Sequence, residues 1–281
     1  MSEISSRQGR WGQERRLEFI DFRLLWEGRV NRADLTGFFK ISVPQASLDF
    51  SKYQELAPAN MHYDRVQKTY VATEGFQPLL VKEDCGQYLS ELLWRNTGTV
   101  AHSDSFVGWA PPVDFFPYPS RKIDPQNFIP LLRAIQKQMA IVIGYQSMSN
   151  PEPTDRLVFP LAFAQDGYRW HLRAYCYSSQ QHKDFVLGRI FSVGTSSKPA
   201  DPVPEDIEWN SFVNVVIGPN PSYSEAKKSA ISRDYNMVEG EARIRTRRAQ
   251  LYYLMRRLNI TESDAPPAEH QQIVLVRIEE V

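Results

Sequence analysis

The 281-residue sequence predicts an α+β chain of several domains. Three observations carry that prediction. Helical periodicity fills the chain up to Leu56 and then gives way to a β-rich run, Met61–Thr73. Two short β-type runs flank a turn at Asp166-Gly167. Beyond the Pro-rich stretch Ser196–Pro204, strand-type and helix-type segments alternate to the end. The length suits two or three domains rather than one.

Bulk composition narrows the function classes. Hydrophobic residues make up 42% and aromatic residues 12%, enough to bury a core and to exclude a disordered chain. Net charge is zero, so a nucleic-acid partner has to be met by local patches. Cys85 and Cys176 lie far apart and form no zinc or redox spacing, which is the pattern of reduced thiols. Met1–Gly12 has no apolar core of a signal peptide, and no run approaches a membrane span. The expectation is a soluble, cytoplasmic protein with no membrane partner.

Taken in order, Leu17, Ile20 and Leu24, widened by Phe19, Phe22 and Trp26, make an amphipathic helix from about Arg10 to Trp26 that Gly28 stops. Asn31 caps a short helix, Arg32 to Phe39, with Asp34 completing a capping box. Ser42 caps a third helix that runs to Leu56. Gln45 sits three residues on, Pro44 occupies the first turn and Pro58 follows the end. On that helix Ala46, Phe50 and Tyr53 share one face. Ser42, Gln45, Ser47, Leu48 and Lys52 fall toward the other.

A fourth helical stretch spans Asp84 to Arg95. The segment Trp109–Pro119 is Pro-rich and aromatic, an extended connector. Asp124 caps a helix from Phe128 to Gln138, and Met139–Tyr145 is a strand. In Trp170–Cys176, alternation sends Trp170, Leu172 and Ala174 to one face. His171, Arg173 and Tyr175, with Arg169 before them, go to an anion-facing surface. The C-terminal order is strand Phe212–Ile217, helix Ser224–Asp234, strand Ala242–Thr246, helix Arg248–Leu258, strand Ile273–Glu279, which suggests a small ferredoxin-like α/β unit. Residues 222–258 hold nine Lys or Arg against four Asp or Glu. Arg243, Arg245 and Arg247 alternate on one strand as an anion-binding edge or a solvated one.

Three helices with a tight second turn and a following hairpin resemble a winged helix-turn-helix, which lays its third helix in the DNA major groove. That resemblance implies Gln45, Ser47 and Leu48 at base edges, the Leu48 side chain against a thymine methyl. Ser42, Lys52, Arg65 and Lys68 would serve the backbone. Residues 1–80 carry 11 Lys or Arg against 10 Asp or Glu, so charge alone leaves a plain helical domain open.

The central stretch resembles the WYL domain, an SH3/Sm-like β-barrel of bacterial regulators. The residues are Trp170-His171-Leu172, Ile143-Gly-Tyr145-Gln-Ser147, Arg156 four before Pro160, and Phe185 leading to Arg189-Ile190. His171 stands where that family usually has Tyr. The full order of parts is winged helix-turn-helix (1–105), connector (106–127), WYL barrel (128–197) and C-terminal extension (205–281). It resembles the WYL-domain transcriptional regulators of bacterial phage-defence islands, of the BrxR/CapW type. The resemblance implies a homodimeric repressor of a defence operon that binds a duplex operator and is released by a ligand in the WYL barrel.

No catalytic constellation stands out, and no enzyme activity is expected. Phosphate-loop, nucleophile-elbow and His-Glu-x-x-His patterns are missing, and His62, His102, His171, His182 and His270 have no metal-ligand spacing. No cofactor or metal is implied. A binding cluster is: Tyr145, Ser147, Arg156, His171, Arg173 and Arg189 could share a barrel face. Guanidinium forks and hydroxyls there would suit a nucleotide or oligonucleotide effector. The alternative for Arg173 and Arg189 is a set of surface ion pairs with Asp166 or Asp184. A rival function is a nucleic-acid-binding accessory protein whose WYL face holds single strands.

Overall fold

The computed structural model describes residues 2–97, 105–116, 119, 121–199, 202–260 and 269–281, with the backbone alone for 2–11. His102 and residues 117, 118 and 120 of the connector lie outside the described residues. Two compact units are present, Met1–Pro117 and Tyr118–Val281.

In the first unit, α1 (Ser2–Glu27) ends where Gly28 enters the left-handed region at φ +69°, a conformation glycine adopts without a Cβ clash. Leu17, Phe19, Ile20, Phe22 and Leu24 of α1 are buried. After β1 (Arg29–Val30), α2 (Arg32–Phe39) begins with the capping box: the Asn31 side chain accepts the Asp34 N–H, and the Asp34 carboxylate accepts the Asn31 N–H. Then come α3 (Val43–Leu56), the hairpin β2 (Met61–Asp64) and β3 (Thr69–Ala72), and α4 (Cys85–Asn96), capped by Asp84. The sheet order is β1-β3-β2, antiparallel throughout. This is a winged-helix arrangement.

Its core holds charged side chains that periodicity does not reveal, Asp21 and Asp49. Asp21 is fully buried on α1 and accepts backbone N–H groups from Leu79, Leu80 and Val81 at 2.9, 2.7 and 3.0 Å, plus the Tyr53 hydroxyl. Four donors replace the water that the carboxylate gives up. The extended segment before α4 is thereby tied to α1 and α3. Burial and the hydrogen bond to Asp21 both push the Tyr53 phenol pKa up, because its ionised form would face the carboxylate.

In the second unit, α5 (Pro125–Lys137) packs Leu131 and Ala134 on a five-stranded antiparallel sheet. Its strands are β4 (Ala140–Tyr145), β5 (Thr154–Gln165), β6 (Trp170–Cys176), β7 (Gln181–Val186) and β8 (Ile190–Ser197), in the order β7-β6-β5-β4-β8. No ladder joins β7 to β8 among the described residues, so the closed barrel expected from the sequence is an open, curled sheet. Next come α6 (Ile207–Asn210), β9 (Phe212–Pro219), α7 (Glu225–Asp234), β10 (Ala242–Arg247), α8 (Leu251–Arg257) and β11 (Ile273–Glu280). Here the sheet has three strands, β10-β9-β11, and both ladders are antiparallel, where the ferredoxin-like expectation needs four.

The face assignment on β6 is corrected. Leu172 and Ala174 are buried as expected, but Trp170 is 50% exposed because the strand begins there, past the edge of the core. His171, Arg173 and Tyr175 are not an open surface; each is at most 9% exposed. The four-residue helix α6 and the helix α8 cover that side. The strand is core on both faces.

Candidate nucleic-acid interface and effector site

On α3, Ala46, Asp49, Phe50 and Tyr53 face inward, and Phe50 stacks on Tyr70 of β3 with ring centroids 4.3 Å apart. That packing turns Ser47, Leu48 and Lys52 outward. Leu48 is 63% exposed, unusual for a leucine on a short domain's helix. Lys52 pairs with Glu55 at 3.1 Å on the surface. Ser42 caps the helix by accepting the Gln45 N–H at 3.3 Å. The reciprocal half of the expected box is not formed, because the Gln45 amide turns along the helix to Asp49 at 3.2 Å. Asp49 is fully buried and also takes Arg16 at 2.6 Å, so its demand for donors outweighs the cap. In the β2–β3 turn, the Asp64 carboxylate accepts the Val66 and Gln67 N–H groups and holds the loop that presents Arg65 and Lys68, both exposed.

The six WYL-type positions are not gathered on one face. Tyr145 is buried, its hydroxyl accepting the Val186 N–H at 3.3 Å, and the Arg156 guanidinium lies 5.9 Å from its ring. Ser147 caps the following turn by accepting the Asn150 N–H at 3.1 Å. Arg173 is the hub of a buried ionic cluster. Its Nε and Nη2 make a two-pronged pair with Asp206 at 2.7 and 2.9 Å, with Glu208 at 3.1 Å and Asp184 at 3.4 Å. Asp184 also accepts the Tyr253 hydroxyl from α8 at 3.1 Å. His171 bonds Asp166 at 3.0 Å and lies beside Tyr253 with the rings tilted at 45°, centroids 5.0 Å apart.

Electrostatics follow from this wiring. Burial works against the Asp166 carboxylate. The His171 hydrogen bond, the Tyr168 and Arg169 amides and the Arg169 guanidinium outweigh it, holding the pKa well below the usual carboxylate range. Asp206 is likewise lowered, burial being overcome by Arg173 and the Trp209 N–H. Burial and Asp184 together push the Tyr253 phenol up.

Arg189 is placed differently. It sits on the short turn Leu187–Arg189 and lines a groove of about 300 Å³ with Arg121, Lys122, Arg169 and Trp170. Sequence reasoning assigned no site role to Arg121, Lys122, Arg256 and Arg257, although the last two fall in the basic excess over residues 222–258. The β10 arginines are compensated instead: Arg243 pairs with Glu241 at 3.2 Å, and the Arg245 and Arg247 guanidiniums lie 4.4 and 4.8 Å from the Phe212 ring. No group of acidic, His or Cys side chains suited to a metal ion occurs among the described residues. No helix described is long and apolar enough to cross a membrane.

Comparison with known proteins decides the family. Residues 12–93 match the BrxR transcriptional regulator winged helix-turn-helix domain, 126–194 the WYL domain, and 212–281 the BrxR transcriptional regulator C-terminal dimerization domain. A protein of Escherichia coli (strain KTE188) described as DNA-binding transcriptional repressor CapW is 42% identical over 98% of this chain and 93% of its own length. CapW of Stenotrophomonas maltophilia is 41% identical over 100% and 95%. CapW of Pseudomonas aeruginosa is 43% identical over 92% and 87%. This chain belongs to the BrxR/CapW-type WYL regulators. The solved proteasome accessory factor B/C (PafBC) of Arthrobacter aurescens aligns at 18% identity over 85% of the chain and 42% of its own. The TM-score is 0.28. In this BrxR/CapW-type chain, α6 and its carboxylates fall between the second and third family matches, yet they neutralise the central arginine of the WYL sheet.

Proposed function

We propose that this chain is a sequence-specific, duplex-DNA-binding transcriptional repressor of a phage-defence operon. It acts as a homodimer, and a phosphate-bearing effector at the WYL domain controls DNA release. The observation that carries the reading is the match over 98% of the chain to a protein described as a DNA-binding transcriptional repressor. The outward side of α3 supports it: Ser47 and Leu48 meet base edges and Lys52 exchanges Glu55 for a phosphate. Ser42, Gln45, Arg65 and Lys68 position the backbone from the helix start and the wing. The C-terminal dimerization match supports the homodimer. So does a cavity of about 640 Å³ along α8, where Leu251, Tyr252, Met255 and Ile260 are rimmed by Glu208, Arg248, Arg256 and Asn259. The open five-stranded sheet serves as the SH3/Sm-like element, and the three-stranded C-terminal sheet as a reduced ferredoxin-like one.

Release follows from linkage. An effector lowers DNA affinity only by binding the free conformation more tightly than the DNA-bound one. The test is a gel shift with duplex DNA from upstream of the protein's own gene, against a scrambled duplex and a single strand of equal length. Competitor-resistant retention of the upstream duplex alone is expected. Retention of the single strand only would replace the repressor by an accessory nucleic-acid binder.

A further inference from the structure

Asp49 is fully buried on α3, with Gln45 one turn before it and Lys52 nearly one turn after. Its Oδ2 accepts the Arg16 Nε–H at 2.6 Å. Its Oδ1 accepts from Arg16 Nη2 at 3.3 Å, Gln45 Nε2 at 3.2 Å and Gln13 Nε2 at 3.4 Å. A buried carboxylate is costly unless paired and hydrogen-bonded, and an unpaired one on α3 would also repel a phosphate backbone. Arg16, brought from α1 with its side chain 14% exposed, removes both penalties. A second polar tie joins the same helices one turn further on, where the Tyr53 hydroxyl donates to Asp21. Hydrogen bonds are directional and apolar contacts are not, so the two ties fix the rotation of α3 about its axis.

This arrangement also decides which way the half-buried Gln45 amide faces. An ionised carboxylate only accepts hydrogen bonds, so the amide must turn its NH2 group toward Asp49. One Nε2 hydrogen is used there. The other Nε2 hydrogen and the carbonyl oxygen Oε1 meet no partner among the described residues. One planar amide thus presents an acceptor and a donor side by side. In the major groove adenine offers the complement, an N6 amino donor beside the N7 acceptor. Guanine offers two acceptors, N7 and O6, and would set one of them against Oε1. Turned over, the same amide would lead with its NH2 group and suit guanine. The carboxylate is what forbids that turn.

We infer that Asp49, itself buried away from any base, is a positioning residue that orients Gln45 to read an adenine in the operator. The inference rests on the repressor reading above and carries Gln45 from the DNA backbone to a base edge. Arg16 completes the device by cancelling the charge that Asp49 would otherwise bring to the interface. Part of the operator's sequence is therefore set by a side chain that never meets it.

The test uses the full-length protein in competition gel shifts with the upstream duplex, each base pair of the bound site being replaced in turn. The wild type should prefer A·T at one position per half-site, replacement by G·C weakening binding by at least about fivefold. Gln45→Ala should abolish discrimination at that pair alone and leave the melting temperature unchanged. Asp49→Asn puts an amide NH2 where a carboxylate oxygen faced Gln45. The Gln45 amide then turns over, and preference at that pair should move toward G·C. Discrimination at the other pairs should persist, which a merely loosened helix would not allow. Should Asp49→Asn fail to fold, the free wild-type protein decides by nuclear magnetic resonance with isotope-labelled glutamine side chains. The signal missing from Gln45→Ala should show one Nε2 hydrogen protected from solvent exchange; two freely exchanging hydrogens overturn the positioning. Adenine preference retained in folded Asp49→Asn overturns it equally. A wild type that selects the upstream duplex but has no pair dependent on Gln45 overturns the base contact and spares the repressor reading. Equal binding of upstream and scrambled duplexes by the wild type sinks both.

Discussion

On α3 the outward residues are Ser47, Leu48 and Lys52, and the one cation among them already pairs with Glu55. In the groove beside β6, Arg121, Arg189, Arg256 and Arg257 have no carboxylate in ion-pair range among the described residues and stand beside the half-exposed rings of Tyr168 and Trp170. The chemistry of the two surfaces differs. A helix that offers an apolar side chain and hydroxyls reads a rigid duplex by shape and base edge, with little help from charge. A concave cluster of guanidiniums and rings grips a flexible polyanion and reads little of its sequence. A neutral overall charge is therefore not evidence against nucleic-acid binding. The positive charge is concentrated where a sum over the chain cannot register it.

The largest effect that would sharpen this contrast comes from the charges beneath the groove. Arg173→Ala leaves Asp206 and Asp184 buried without their cation and should destabilise the second unit by about 3–5 kcal/mol in a urea melt. An unchanged midpoint would mean that the cluster is hydrated and that Arg173 is free for a ligand after all. Acid titration comes next. The folded-state pKa values of Asp166 and Asp206 are depressed, so their stabilisation is complete above about pH 5. It is lost as pH falls from about 4 toward the depressed values, where each tenfold difference in acidity between folded and unfolded chain is worth roughly 1.4 kcal/mol. The second unit should therefore unfold cooperatively in acid. Melting insensitive to pH in that window would contradict the wiring at β6. The smallest effect concerns α3. Lys52, Arg65 and Lys68 on each of two protomers correspond to a slope of about −5 in log affinity against log salt, and Lys52→Ala should flatten it by about 2. A markedly steeper wild-type slope would show that groove arginines also touch the operator, breaking the division of labour.

Much of the fold was legible because local chemistry decides it. Asn31, Ser42 and Asp124 cap the helices expected of them, and the C-terminal strands and helices fall close to their expected bounds. What was not legible depends on distant partners. Alternation correctly separates the two faces of β6, but it cannot tell solvent from the short helix α6 that arrives much later in the chain. Arg173 therefore resembles a ligand residue until Asp206 is in place. Trp170 misled for the opposite reason: an aromatic side chain at a strand's first residue has no core behind it. The groove was invisible because Arg121, Arg169, Arg189 and Arg257 are neighbours only after the sheet curls and α8 crosses Gly167. The side chain of Gln45 could not be assigned from spacing, since a buried Asp49 competes for it.

The Arg173–Asp206 pair also bears on how such regulators can be recombined. Asp206 lies outside both the WYL match, which ends at residue 194, and the dimerization match, which begins at 212. A chimera joined at either boundary that omitted 195–211 would import a WYL sheet whose central cation keeps Asp184 but loses Asp206 and Glu208. The transferable module is therefore residues 126–210 with the two faces of the α8 seam matched to it. Swaps of sensing domains between relatives should succeed or fail according to whether that short acidic helix travels with the sheet.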